Sequence, residues 1–139
     1  MAKKMTQLTI FSDGGARGNP GPAGAGAVIL DADGKVIAEL YEYLGETTNN
    51  QAEYRAMIMA VKAAKKMSPA KVSIFADSEL VVKQIKGEYR VKDEGLKLLY
   101  KELMTLLGGL GDYSVAHVRR EKNKHADKLA NKAIDSKDE

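Results

Sequence analysis

Four acidic residues, Asp13, Glu53, Asp77 and Asp127, occupy positions where the surrounding pattern predicts a protein core. Asp13 and Asp77 each follow a short apolar run, whereas Glu53 and Asp127 lie on or beside the apolar stripes of two predicted helices. Carboxylates are rarely buried without a compensating partner. A divalent metal ion is the leading explanation for four such positions, because carboxylate oxygens are the ligands that hard cations prefer.

The elements that must position these acids follow from periodicity and from glycine, proline and capping residues. The pattern predicts strands over residues 6–11, 25–30, 36–44, 72–76 and 113–118, with Asp13 at the end of the first strand. It predicts helices over residues 50–67, 93–107 and 123–135, and a short helix between Ser78 and Gly87. Residues 14–22 are predicted to form a turn-rich loop, and Thr48 or Asn49 is the predicted cap of the first long helix.

This order, β-β-β-α-β-α-α-β-α, predicts an α/β fold with a five-stranded mixed sheet, antiparallel over its first three strands, and helices on both faces. The first and fourth strands would lie side by side, which would bring Asp13 and Asp77 together at the C-terminal ends of their strands. We expect one domain over residues 1–139, with residues 1–5 and about 136–139 as flexible tails.

Composition narrows the functional classes. The chain has no cysteine, which excludes disulfides and cysteine-ligated metal centres. A net charge of +3 permits nucleic-acid binding without establishing it. The sequence contains no apolar run long enough to span a bilayer and no signal peptide, so we expect no membrane association and a cytoplasmic location. The glycine-rich segment 14–26 lacks the residues of a phosphate-binding loop or a dinucleotide fingerprint, which argues against a nucleotide cofactor.

Four sequence blocks together carry a family resemblance. They are Phe-Ser-Asp-Gly-Gly at residues 11–15, Thr-Thr-Asn-Asn-Gln-Ala-Glu at 47–53, Ala-Asp-Ser at 76–78 and Asn-Lys-His-Ala-Asp-Lys-Leu-Ala at 123–130. In this order and approximate spacing they resemble the type 1 ribonuclease H family, and the predicted element order is similar to the fold of that family. The resemblance implies a metal-dependent endonuclease that cuts the RNA strand of RNA–DNA hybrids.

The resemblance also implies roles for individual residues. Asp13, Glu53, Asp77 and Asp127 match the catalytic, metal-binding acids of the family, which would hold two Mg²⁺ or Mn²⁺ ions with substrate bound, Asp13 bridging the pair. Five polar residues match or adjoin positions that contact the hybrid's phosphates or RNA hydroxyls: Asn19, Thr48, Asn49, Asn50 and Ser78. Turn and cap duty is the alternative for these polar residues.

The chain also departs from many bacterial members of the family. The segment before Asp127 is short and lacks the loop histidine of those members, His117 falls within a predicted strand, and His125 is expected to have a structural or surface role. The chain has no tryptophan and no strongly basic protrusion, so it is more similar to the compact form found in archaeal-type and related bacterial members. The alternatives are a broader nuclease that also cuts double-stranded RNA or RNA–DNA junctions, and a catalytically silent nucleic-acid-binding domain. We expect a monomer.

Overall fold

Five strands form one mixed sheet in the computed structural model, which describes residues 7–137. The strands are β1 (Gln7–Ala16), β2 (Gly21–Leu30), β3 (Val36–Thr47), β4 (Lys71–Ala76) and β5 (Asp112–His117). Their spatial order is β3-β2-β1-β4-β5. The pairs β1–β2 and β2–β3 are antiparallel, whereas β1–β4 and β4–β5 are parallel. The predicted fold class, a mixed sheet with three antiparallel strands at its start, is confirmed.

Four helices accompany the sheet: α1 (Asn49–Lys65), α2 (Glu79–Ile85), α3 (Glu94–Gly108) and α4 (Lys124–Asp135). The side chains of Thr48, Ser78 and Asp93 cap the first three helices, each by accepting a hydrogen bond from a backbone N–H in the first turn. A short 3₁₀ turn, Arg120–Lys122, connects β5 to α4 and was not predicted.

The two faces of the sheet pack against different helices. On one face, large apolar side chains such as Leu8, Ile10 and Ile29 are buried beneath α1, which packs in turn against α3. On the other face, α4 lies directly on β2 at Gly24 and Gly26. Side chains alternate between the two faces of a strand, so each face presents its own set of residues to its helices. Helices therefore cover both sides of the sheet, as predicted.

The glycine-rich segment after Asp13 is strand rather than loop, which corrects the predicted boundaries. β1 continues to Ala16 and β2 begins at Gly21, so the connecting loop shortens from residues 14–22 to residues 17–20. A Cβ atom at Gly14 would lie 2.1 Å from the carbonyl oxygen of Ala52 in α1. The glycine is therefore required for close packing of a helix on a strand, not for a turn.

Other element ends also differ from prediction. β3 extends to Thr47 rather than residue 44, because an irregularity in its pairing with β2 near Leu44 is accommodated by Gly45 at a φ of 75°. α1 begins one residue earlier than predicted and ends at Lys65 rather than residue 67.

Of the predicted flexible tails, residues 1–5 and 138–139 lie outside the described residues, whereas the backbone N–H of Ser136 still bonds to the carbonyl of Lys132 in α4. Within residues 7–137, none of the helices combines the length and the apolar character needed to cross a membrane.

Candidate active site

The pairing of β1 with β4 sets the position of two acids. Ser12 is opposite Ala76 in the parallel ladder, so Asp13 and Asp77, the next residues, are neighbours. Asp77 follows the last residue of β4, as predicted. Asp13 instead lies three residues before the end of β1, which corrects its expected place at the strand terminus. Asp13 is buried and Asp77 is half-buried.

Glu53 joins these two acids from α1. Its carboxylate is buried and accepts a hydrogen bond from the backbone N–H of Gly14, where the helix lies against the strand. Carboxylate oxygens of Asp13, Glu53 and Asp77 all lie within 4.8 Å of one another. This spacing allows one divalent cation to contact all three residues.

Asp127 reaches the same place from the first turn of α4. The Nδ2 atom of buried Asn123 donates to the carbonyl oxygen of Ser12 at 2.9 Å, which fixes the start of α4 against the strand that carries Asp13. The backbone N–H of Asp127 bonds to the carbonyl of Asn123 at 3.0 Å. Asp127 lines the same cleft as the other acids.

The electrostatics of the acid cluster are unfavourable without a counter-charge. Burial raises the pKa of Asp13, and the negative charges of Glu53 and Asp77 raise it further. Burial also raises the pKa of Glu53, although the hydrogen bond from Gly14 acts in the opposite direction. The cluster therefore either retains protons above their usual pH range or binds cations.

The acids line a cleft of about 460 Å³. Three of the five predicted substrate-binding residues, Asn49, Asn50 and Ser78, also line it. Asn19 and Thr48 act beside it at the start of α1: Asn19 Oδ1 accepts from the N–H of Asn49 at 3.0 Å, and Thr48 Oγ1 accepts from the N–H of Gln51 at 3.2 Å. Asn19 and Thr48 thus accept hydrogen bonds from backbone N–H groups at the start of α1, which is the capping role given above as the alternative to substrate binding.

The cleft is also lined by three polar residues that were not predicted from the sequence: Arg17, Arg120 and Asn131. Arg17 belongs to the loop between β1 and β2, and Arg120 to the 3₁₀ turn before α4. Only Asn131 had a readable signal, since it lies four residues after Asp127 and therefore on the same side of a helix.

Neither histidine lines the cleft that holds the acids. His117 is the last residue of β5 and is exposed, opposite Ala76 of β4. His125 is exposed, and its Nε2 atom lies 2.5 Å from a carboxylate oxygen of Glu39. Among the described residues that line the cleft there is no histidine.

Comparison with known proteins agrees with this geometry. A family model described as reverse transcriptase-like matches residues 11–133. Ribonuclease HI of Halobacterium salinarum is 42% identical over 129 residues, which cover 93% of this chain and 65% of that protein. A solved structure of RNase H1 from the same archaeon has a TM-score of 0.90, with coverage of 93% of this chain and 98% of the solved chain.

Two further relatives are similar over most of this chain. A bifunctional protein of Mycobacterium tuberculosis is 41% identical over 94% of this chain, which spans only 36% of that protein. Its N-terminal RNase H domain, solved as a fusion with maltose-binding protein, has a TM-score of 0.91 and is covered to 95%. LC11-RNase H1, solved in complex with an RNA/DNA hybrid, is 42% identical with a TM-score of 0.88, covering 92% of this chain and 96% of the solved chain.

Proposed function

Because the chain belongs to the type 1 ribonuclease H family, we propose that it is a metal-dependent endonuclease that hydrolyses the RNA strand of RNA–DNA hybrids. The observation that carries this proposal is the convergence of Asp13, Glu53 and Asp77 within 4.8 Å, in a cleft that Asp127 also lines. The hybrid as substrate is supported by LC11-RNase H1, whose structure contains one.

The donor set fits a hard divalent cation. All four side chains offer carboxylate oxygens, and burial together with the neighbouring carboxylates raises the pKa of Asp13 and of Glu53, an effect that a bound cation would oppose. Mg²⁺ or Mn²⁺ suits such ligands. Two such ions, when bound with substrate, supply activation of a water molecule and stabilisation of the leaving oxygen.

Each of the four acids would be a ligand of one or both ions. Asp13 is central, because it neighbours Glu53, Asp77 and Asp127, and we assign it to both ions. Glu53 and Asp77 would hold the ion on the leaving-group side. Asp127, which approaches the cluster from α4, would hold the ion on the side of the attacking water.

Polar residues around the acids would bind the hybrid. Asn49 Oδ1 accepts from the backbone N–H of Ala16 at 2.8 Å, which leaves its Nδ2 group to donate to a phosphate oxygen or a ribose hydroxyl. Asn50 and Ser78 border the cleft and offer similar contacts. Asn19 would support Asn49, and Arg120 would add a positive charge facing phosphate.

A substrate panel tests the proposal. The purified protein is incubated with end-labelled RNA–DNA hybrid, double-stranded RNA and double-stranded DNA, with Mg²⁺, with Mn²⁺ and with chelator. We expect metal-dependent cleavage of the RNA strand in the hybrid. Cleavage of the RNA duplex as well would identify the broader nuclease, and binding without cleavage by folded protein in both metals would identify a silent binding domain.

The protein is proposed to act as a monomer, because all four acids and the residues around them come from one chain. Light scattering coupled to size-exclusion chromatography measures this directly. A mass near 15.1 kDa is expected, and a stable dimer would contradict the proposal.

A further inference from the structure

A chain of hydrogen bonds leads to Asp127 from outside the acid cluster. Asn131 lies one turn after Asp127 on α4, and its Nδ2 atom donates to the backbone oxygen of Asp127 at 3.0 Å. The same Nδ2 atom lies 3.5 Å from the carboxylate oxygen Oδ1 of Asp127. The side chain of Asn131 therefore contacts both the backbone carbonyl and the carboxylate of Asp127.

Arg17 fixes the orientation of that amide. Its Nη2 atom donates to Asn131 Oδ1 at 3.2 Å, and its Nη1 atom donates to Asp135 Oδ1 at 2.7 Å. A guanidinium group can only donate hydrogen bonds, so it selects the oxygen of the amide. The amide nitrogen of Asn131 must then face Asp127. Arg17 thus donates both to Asp135 and to Asn131, and Asn131 donates onward to Asp127.

The contact also joins two distant parts of the chain. Arg17 lies in the loop at residues 17–20, and both of its partners lie on α4, more than 110 residues later. Arg17 and Asn131 line the same cleft as the acids. A salt bridge between exposed groups such as Arg17 and Asp135 adds little stability, so stabilisation of the fold is a poor explanation for the arrangement.

From this geometry we propose that Asn131 and Arg17 are positioning residues for Asp127, Asn131 directly and Arg17 through Asn131. The inference rests on the proposed function, in which Asp127 holds a metal ion. Ligand carboxylates that are oriented by hydrogen bonds bind metal more tightly, and loss of such a partner typically costs about 10- to 100-fold in metal affinity or activity.

Two readouts test the proposal: kcat and KM for the hybrid, and the affinity of the free protein for Mn²⁺ measured by calorimetry. For Asn131→Ala we expect kcat and Mn²⁺ affinity each to fall about tenfold, with KM within about twofold of wild type. Asn131→Asp should lose at least as much, because it can still accept from Arg17 but can no longer donate to Asp127.

The role of Arg17 is tested by Arg17→Met, which keeps the bulk of the side chain and removes the donors. A smaller loss, about threefold to fivefold, is expected, and the double variant with Asn131→Ala should be no worse than Asn131→Ala alone. If Arg17 instead contacted substrate, KM would rise and the losses would multiply, which would overturn its assignment.

Thr105→Ala is the matched control. Thr105 Oγ1 donates to the carbonyl of Lys101 at 2.9 Å, the same four-residue side-chain-to-backbone bond, but on α3. We expect no change in kcat or Mn²⁺ affinity. The positioning proposal is overturned if folded Asn131→Ala and Asn131→Asp keep Mn²⁺ affinity within twofold of wild type. A wild-type protein that binds Mn²⁺ without cleaving hybrid would instead count against the proposed function alone.

Discussion

The two faces of the sheet contact their helices in different ways. On one face, α1 and α3 contribute large, fully buried side chains such as Tyr54, Met57 and Leu103, and most of the apolar core lies there. Beneath α4, the contact is made by Gly24 and Gly26, and the backbone of the helix lies almost on the backbone of β2. Buried apolar area stabilises the first face. On the second face, two glycines stand at the contact with the helix, and they set the height of α4 above the sheet.

That height matters because α4 carries Asp127. A Cβ atom at Gly26 would lie 2.3 Å from the carbonyl oxygen of Ala126 and 2.4 Å from the backbone nitrogen of Ala130. Gly26 is also the residue opposite Asp13 in the antiparallel ladder. The difference between the faces teaches that the placement of Asp127 depends on the glycine contact beneath α4, whereas most of the large buried side chains pack with α1 and α3.

Of the variants that compare the two faces, Gly26→Ala should have the largest effect, because the new methyl group meets the backbone of α4 and the clash can be relieved only by movement of that helix. We expect a loss of about 3 kcal/mol in the free energy of unfolding. We also expect kcat for hybrid cleavage to fall about 100-fold, since a displacement of about 1 Å is enough for such a loss. Urea denaturation and steady-state kinetics measure the two quantities.

Gly108→Ala provides the control for that prediction, because a Cβ atom there meets nothing within 4 Å. It should leave kcat unchanged and alter stability by less than about 1 kcal/mol. If Gly26→Ala were as harmless as Gly108→Ala, the claim that the glycine face positions α4 would be wrong.

Leu103→Ala tests the opposite face. Leu103 is fully buried on α3, and truncation should cost about 3 kcal/mol through lost transfer energy and the cavity left behind. Under conditions in which the variant is folded, kcat should stay within about twofold of wild type. A large loss of kcat in fully folded protein would mean that the two faces are not separate in function.

Asp13→Asn should alter stability in a pH-dependent way when metal is absent. The pKa values of Asp13 and Glu53 are raised in the folded protein above their ordinary values of 3.8 and 4.5, so the folded state binds more protons than the unfolded chain. Their stabilising contribution is complete below about pH 4 and is lost as the pH rises toward the raised pKa values.

At pH 8 in chelator, Asn in place of Asp13 should therefore raise the Tm by about 5 °C, and the gain should shrink toward pH 4. Mn²⁺ should stabilise the wild type and narrow the difference. Calorimetric scans across this pH range measure the effect. A variant no more stable than wild type at pH 8 in chelator would show that the acids do not repel one another as described.

Thr48→Ala should have the smallest effect of the four. It removes the cap of α1, for which the expected cost is about 1 kcal/mol of unfolding free energy. Since α1 also carries Glu53, a modest fall in kcat of about twofold is expected, and Thr48→Ser should restore both quantities. A loss of activity larger than that of Gly26→Ala would place Thr48 in direct contact with substrate.

The fold was largely predictable from the sequence because apolar alternation and capping residues report local structure faithfully. Residues 72–76 were predicted as a strand, and β4 spans Lys71–Ala76. The largest errors lie at glycines: Gly14, Gly21 and Gly24 were interpreted as part of a turn-rich loop or its edge but belong to strands. A single sequence does not distinguish a glycine that turns the chain from one that admits a neighbouring backbone.

Less of the candidate site could be predicted. The sequence predicted that Asp13 and Asp77 would be neighbours, and the pairing of β1 with β4 places them so. The catalytic roles of the four acids stay predictions until activity is measured. Arg17 and Asn131 were not selected, because their contact joins residues separated by 114 positions and depends on how the loop at residues 17–20 meets α4.

The most direct test of the account is the single-turnover rate of hybrid cleavage at saturating Mg²⁺ for wild type, for Asp13→Asn and for Asp112→Asn, an exposed aspartate on β5. Because Asp13 would contact both metal ions, we expect its variant to lose at least about a thousandfold in rate while remaining folded. Asp112→Asn should cleave at the wild-type rate. A folded Asp13→Asn protein that cleaves the RNA strand at a rate near that of wild type would contradict the proposed mechanism.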